Sequence, residues 1–258
     1  MNSTSGDEPV EPNQQFHQNI NQPSKQSRIH ITTFSSFSSP NFVLLWLGTS
    51  LMIASHQMMF IAQGYMVYQI TESATILGVV GAGAAFPMLI LAPIAGTVAD
   101  KFKSKNIVLL CQTGSVILAA TMTILIIKEV IRWEYFLVTG VLQGAVWAFN
   151  APARQAWLPL IVEKNKLHNA ISLISAGMSS AGILAGAIAG IIYSYKGPET
   201  VYMVVTCLAA ISIITTIFIR NTKIEPLSLK VTLIREMIVG WKYMLDNQDV
   251  RLLFIFGA

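Results

Sequence analysis

Six stretches of the chain carry no Asp, Glu, Lys or Arg: residues 29–71, 73–99, 106–127, 135–153, 167–195 and 200–219. Each can hold the roughly 20 apolar residues that a helix needs to cross about 30 Å of hydrocarbon, the first over only part of its length. Apolar side chains occupy nearly every face of these stretches. The strands of a transmembrane barrel would instead alternate apolar and polar with a period of two. The pattern predicts an all-α integral membrane protein with six spanning helices over residues 41–221.

The flanks read differently. Residues 1–40 are rich in Ser, Asn, Gln and Pro and have too little apolar surface to fold, so a disordered cytoplasmic tail is expected. The tail has no short apolar core behind a basic start, so it is not a cleavable signal, and the first helix is expected to act as an anchor. Residues 222–249 read as a cytoplasmic linker. Residues 250–258 open a seventh apolar run that stops after two turns, the expectation for a longer polypeptide truncated at the start of helix seven.

Composition agrees: 53% hydrophobic residues against 12% charged excludes an ordinary soluble domain. With the amino terminus inside, 14 of the 17 Lys and Arg fall on one side of the membrane, Lys101, Lys103, Lys105, Arg154, Lys164 and Lys166 among them. Lys128, Arg132 and Lys196 fall on the other. That bias is a positive-inside signal in a cell (plasma or inner) membrane. The net charge of +4 is then topological, and no nucleic-acid partner is expected. Cys111 and Cys207 lie in apolar runs with no second ligand at a useful spacing, so neither a disulfide, a metal site nor a cofactor is expected. No nucleophile, base or metal cluster marks an enzyme.

The sequence at 96–105, Gly-Thr-Val-Ala-Asp-Lys-Phe-Lys-Ser-Lys, reads as a ten-residue polar connector between two long apolar runs. Gly96 permits close backbone approach, and Asp100 lies four residues on, hence on the same helical face. A carboxylate there can accept from a neighbouring helix N-terminus or pair with a cation on an adjacent loop. Lys101, Lys103 and Lys105 hold the connector inside, which basic residues do in any short cytoplasmic loop.

The spacing Gly-x-x-x-Asp-Lys-x-x-x-Lys resembles the signature loop of the major facilitator superfamily. The segment at 150–162, with Pro-Ala-Arg-Gln-Ala at 152–156, is similar to the end of helix four in its branch containing the enterobactin exporter and the multidrug and macrolide efflux permeases. Gly-Trp-Lys-Tyr at 240–243 and Asp-Val-Arg at 249–251 resemble that branch's linker. The likeness covers about residues 38–258. It implies the amino-terminal half of a 6+6 transporter, a bundle of 3+3 inverted repeats, with the carboxy-terminal half a missing partner. Lys103 and Ser104 stand where the family loop has Gly and Arg. Ala185-Gly186 replaces the Gly-Pro of the family's antiporter motif on helix five, which removes the expected kink.

Candidate residues follow by face. Gly182, Gly186 and Gly190 form a small-residue stripe for helix packing; by the resemblance, helix eight of the second half slides along it. Met52, His56, Met59 and Gln63 share one face of helix one, and Gln143, Trp147 and Asn150 one face of helix four. Ser172, Ser175 and Ser179 line up with Gly182. By the resemblance these helices line a central cavity, whose wall would be amphipathic, sulfur-rich and uncharged, suited to large, partly apolar solutes. Interhelical hydrogen bonding is the competing reading for each of these polar residues. His56 is the one membrane side chain of a type whose unperturbed pKa lies near neutral, so the expectation is that it either carries the coupling proton or bonds substrate as a neutral imidazole. Arg154, after Pro152, is placed where helix four breaks, as a latch to Asp100.

Two functions compete. One is a secondary transporter, an efflux permease for small amphipathic molecules, drug- or siderophore-like, driven by a proton gradient. The other is a non-transporting membrane scaffold or inactive fragment. Membrane lipids and, for the transporter, a small-molecule substrate are the partners.

Overall fold

A computed structural model describes residues 35–220. The expected linker at 222–249, the expected start of a seventh helix at 250–258 and nearly all of the expected tail at 1–40 lie outside them. After a 3-10 turn at Ser35–Ser38 come five helices: α1 Pro40–Thr71, α2 Ala74–Lys101, α3 Ser104–Ile127, α4 Trp133–Ile161 and α5 Leu167–Phe218. All five are long and apolar enough to cross a membrane, and no strand occurs among the described residues.

Local chemistry explains the boundaries. Pro40 opens α1, where its missing N–H is one the helix cannot use anyway. Glu72 ends α1 in the left-handed region at φ 49°, its N–H bonded to the Tyr68 carbonyl. Ser73 then caps α2, its hydroxyl accepting from the Ile76 N–H at 3.4 Å. The folded chain also begins earlier than expected. Phe37 packs edge-on against Phe42 and Trp46, with ring centroids 5.6 and 5.3 Å apart. Ser36 bonds Asn169 Oδ1 at 2.9 Å. Residues 35–40 therefore do not belong to a disordered tail: Phe37 supplies apolar surface that the tail's overall composition hides.

Two other boundaries differ from expectation. The ten-residue connector shrinks to residues 102–103, because α2 continues to Lys101 and α3 starts at Ser104. Helix α4 does not break at Pro152 but runs on to Ile161 with Pro152 and Pro159 inside it. In a membrane helix neighbouring segments and local adjustment re-satisfy the groups that proline frees.

At about 1.5 Å per residue, the 52 residues of α5 would reach more than twice the hydrocarbon thickness. They do not form one rod. Gly197 has non-helical backbone, φ 82° and ψ 171°, followed by Pro198, and divides α5 into limbs 167–196 and 198–218. Only glycine takes up that conformation without strain.

Helix α1 lies along α5 and α2 along α4, while α3 touches both α4 and α5. Apolar packing is split into two clusters. Towards the end of the bundle that holds the α1–α2 turn are Met58, Met66, Val67, Val80, Met122, Phe136, Tyr202 and Val205. Towards the end that holds the α2–α3 turn are Phe42, Leu45, Ile107, Val108, Trp157, Leu158 and Ile219. Polar side chains occupy the level between them.

Because hydrocarbon offers no drive for one apolar helix to seek another, close backbone approach matters. It is tightest at the α2–α4 crossing, where a Cβ on Gly144 would collide with the Ala84 carbonyl. A Cβ on Gly190 would meet nothing within 4 Å. Gly144→Ala should cost about 1–3 kcal/mol by overpacking. Gly190→Ala should stay within about 0.5 kcal/mol of wild type. Thermal unfolding of the purified variants in detergent checks the contrast; equal midpoints would contradict it.

Candidate functional site

The polar level is a seam through the middle of the bundle. From α1 come Thr49, Met52 and His56; from α3, Gln112 and Ser115; from α4, Gln143, Trp147, Asn150 and Arg154; from the second limb of α5, Ser212 and Thr216. Its members connect. Gln143 Nε2 donates to Ser115 Oγ at 3.0 Å. The His56 and Trp147 rings meet edge to face, with centroids 4.6 Å apart. Ser212 Oγ donates to Met52 Sδ at 3.8 Å. Met52, Thr49, Gln112, Asn150, Arg154 and Thr216 surround a cavity of about 10 Å³.

Burial sorts the expected cavity wall. Met52, Met59, Gln143 and Asn150 are buried inside the bundle. His56, Gln63 and Trp147 are half-buried, and Ser175 and Ser179 are exposed on α5. The shared face of α1 and of α4 is thus an interior seam whose edge reaches the surface at His56, Gln63 and Trp147. Several polar atoms in it are sealed away without a protein partner: Gln112 Oε1, Gln143 Oε1 and Trp147 Nε1. Gln112 and Ser115 escaped the sequence reading although their spacing of three puts them on one face of an otherwise apolar run.

The connector residues divide in the same way. Gly96 and Asp100 line an open cleft of about 440 Å³ between the ends of α2 and α4, with Pro93, Thr97, Pro152, Gln155 and Ala156. Lys101 is exposed at the last position of α2. Lys105 has a different task. Its Nζ donates to the Ile217 and Ile219 carbonyls at 3.0 and 2.7 Å, capping the end of α5. Those carbonyls have no partner within the helix, and a cation is well placed at the negative end of the helix dipole. Asn41 completes the clasp: its Nδ2 donates to the Arg220 carbonyl at 3.4 Å, and its Oδ1 accepts from the Arg220 N–H at 3.2 Å.

The expected latch is not formed. No ion pair joins Asp100 to Arg154 among the described residues. The reason is helical phase. Since α4 continues through Pro152, Gln155 faces the Asp100 cleft, and Arg154, turned about 100° from it, points into the seam. The glycine stripe is likewise looser than expected. A Cβ on Gly182 or Gly186 would make ordinary contacts with Ile53 or Gln57, at 3.8 and 3.7 Å, and Gly190 is open. Tight approach on this limb falls instead at Gly177, against Trp46 and Ser50.

A family model for the Major Facilitator Superfamily matches residues 45–258. The chain belongs to this superfamily. Similar proteins include macrolide efflux protein A of Streptococcus pyogenes, 24% identical over 223 residues, which cover 84% of this chain and 54% of that protein. The staphyloferrin A transporter of Staphylococcus aureus is 27% identical over 205 residues, 78% of this chain and 47% of that protein. The chain spans about half the length of the curated relatives it matches. As a superfamily chain with five membrane-capable helices it is a multi-pass membrane protein.

Lys105→Met should destabilise the protein by about 1.5–3 kcal/mol, the worth of hydrogen bonds to a charged group. It should also speed amide exchange in the last turn of α5. Lys101→Met, at an exposed position without a bond to lose, should change neither. Hydrogen exchange read by mass spectrometry over 213–220 checks this, and unchanged exchange in the Lys105 variant would contradict the cap.

Proposed function

We propose that this chain is the amino-terminal half of a secondary active transporter that exports small amphipathic molecules, drug- or siderophore-like, by alternating access driven by a proton gradient. The observation that carries the reading is the superfamily match over 45–258, joined to similar proteins whose names state macrolide efflux and staphyloferrin A transport. The limbs of α5 then serve as the fifth and sixth spans, and the six form 3+3 inverted repeats with the amino terminus in the cytoplasm of a plasma or inner membrane.

In this reading substrate meets the seam where it surfaces, at His56, Gln63 and Trp147, and the exposed Ser175 and Ser179 of α5. Trp147 contributes a half-buried apolar ring beside His56, which suits a partly apolar solute. Met52, Met59, Gln143 and Asn150 support that wall from behind. The cleft at Gly96 and Asp100 receives a helix of the carboxy-terminal half when the cytoplasmic side closes, with Lys101 at its rim. Gly190, where a Cβ would meet nothing within 4 Å, gives the second half a smooth point of contact along which to rock, while Gly182 and Gly186 pack against α1. His56, the one imidazole in the interior of the described helices, carries the coupling proton.

The test uses the full-length polypeptide in sealed vesicles, with a panel of macrolides, cationic dyes and an iron-free siderophore. Gradient-driven accumulation of at least one compound, abolished by a protonophore, is expected. His56→Gln should keep downhill flux and lose most of the gradient-driven component. Absence of gradient-driven movement for every compound, with the protein correctly inserted, would overturn the transporter reading in favour of a scaffold. Normal pumping by His56→Gln would remove only the proton role of His56.

A further inference from the structure

Helix α3 and the second limb of α5 run side by side and antiparallel, joined near both ends. At one end Lys105 Nζ donates to the Ile217 and Ile219 carbonyls at 3.0 and 2.7 Å. At the other the Thr123 and Thr206 hydroxyls share a hydrogen bond of 3.1 Å. Lys105 and Thr123 lie 18 residues apart, about 27 Å of helix, so the pair nearly spans the hydrocarbon. On its outer side each helix keeps an apolar stripe exposed: Leu110, Ile117 and Ile124 on α3, and Ile211, Ile214 and Phe218 on α5. The stripes alone would suit any hydrocarbon or another helix.

The charges at the two ends choose the occupant. Residues 103–106 and 217–220 contain Lys103, Lys105 and Arg220 and no acid. Lys103 and Arg220 are exposed, and none of the three cations has an ion pair among the described residues. Asp100, the nearest acid before Lys103 in the chain, lines the cleft between α2 and α4. Asn41 holds the Arg220 main chain through two hydrogen bonds, so the cations sit where α1, α3 and α5 converge. Beyond the threonine pair, Glu129 and Glu199 balance Lys128 and Lys196. A molecule that matches this face is anionic at one end and apolar along the rest. A phospholipid carries its phosphate at that height already.

We infer that an anionic phospholipid docks on the outer face of α3 and the second limb of α5. Its phosphate meets Lys103, Lys105 and Arg220, and its acyl chains lie along the two stripes. Lys105 uses two of its three N–H groups on the α5 carbonyls and keeps one for the phosphate. The lipid thereby bridges the two helix ends that Lys105 already ties together. General attraction to a charged membrane surface would draw on every exposed cation at this end alike, whereas this site draws on three. The inference requires a membrane and does not depend on what the protein transports.

The experiment is native mass spectrometry of the full chain released from nanodiscs of mixed phosphatidylglycerol and phosphatidylcholine. Wild type should retain phosphatidylglycerol roughly tenfold over phosphatidylcholine. Lys103→Gln combined with Arg220→Gln should lose the preference, while Lys101→Gln combined with Lys164→Gln, exposed cations elsewhere at this end, should keep it. Equal loss in both pairs would overturn the site in favour of diffuse attraction, and equal retention of the two lipids by wild type would overturn it outright. Displacement of the lipid by millimolar glycerol phosphate would replace it with a soluble phosphate. A measurement on wild type alone stands even if the Lys103 and Arg220 variant does not fold. Phosphatidylglycerol with a photoactivatable acyl chain should cross-link to peptides bearing Leu110 or Ile214 more than the matching phosphatidylcholine does, and equal cross-linking by the two would overturn the site.

Discussion

Hydrocarbon gives apolar side chains no reason to leave it for one another, so this bundle is determined by where its polar groups go. A connected group of them lies at one level. The seam from His56 and Trp147 through Gln143 and Ser115 to Asn150, Gln112 and Arg154 separates two apolar clusters and touches α1, α3, α4 and the second limb of α5. Thr49, Gln112, Gln143 and Ser212 are presented there instead of to lipid, and that requirement sets the rotation of α1, α3, α4 and the second limb of α5 about their axes. Main-chain acceptors add to the same end: Trp46 Nε1 donates to the Leu173 carbonyl at 2.9 Å and Ser55 Oγ to the Val205 carbonyl at 3.0 Å.

Close packing follows from that rotation. Once α4 turns Gln143 toward Ser115, the adjacent Gly144 is presented to α2, and only a residue without Cβ lets the Ala84 backbone pass so near. Gly48 plays the same part on α1 against Thr215. Helix α2, held mainly by α4, keeps Phe86, Leu89 and Ile90 exposed as a lipid-facing or partner-facing surface.

Much of this was legible in the residues. Charge-free runs locate membrane-length helices because a charge inside hydrocarbon is expensive, and the spacing of His56 from Met52 or Trp147 from Gln143 does put them on shared faces. The same spacing is silent about what a face meets. It could not tell an interior seam from a cavity wall, so Gln143 and Asn150 are buried deeper than a substrate surface would be. Four-residue glycine spacing picked out Gly182, Gly186 and Gly190, yet tight crossings depend on the neighbour, as Gly144 and Gly177 show. Pro152 misled in the other direction: taken as a helix end it put Arg154 beside Asp100, whereas a continuous helix turns Arg154 inward and gives Gln155 the cleft. Lys105 looked like one more retaining charge, and only the path of α5 back to the start of α3 reveals it as a cap.

For the transport reading, the proposed consequence is that the bundle, with its interior polar seam and an open cleft at one end, moves as a body against the proposed second half. Cysteine accessibility along α4 and at the end of α2 tests the seam most directly, with Cys111 and Cys207 first replaced by Ser and the membranes open on both sides. With a membrane-impermeant thiol reagent, cysteines at 100 and 155 should label rapidly, while those at 143 and 150 should stay protected until the protein is denatured. Labelling at 143 and 150 as fast as at 155 would contradict an interior seam and place that face of α4 on an open aqueous wall.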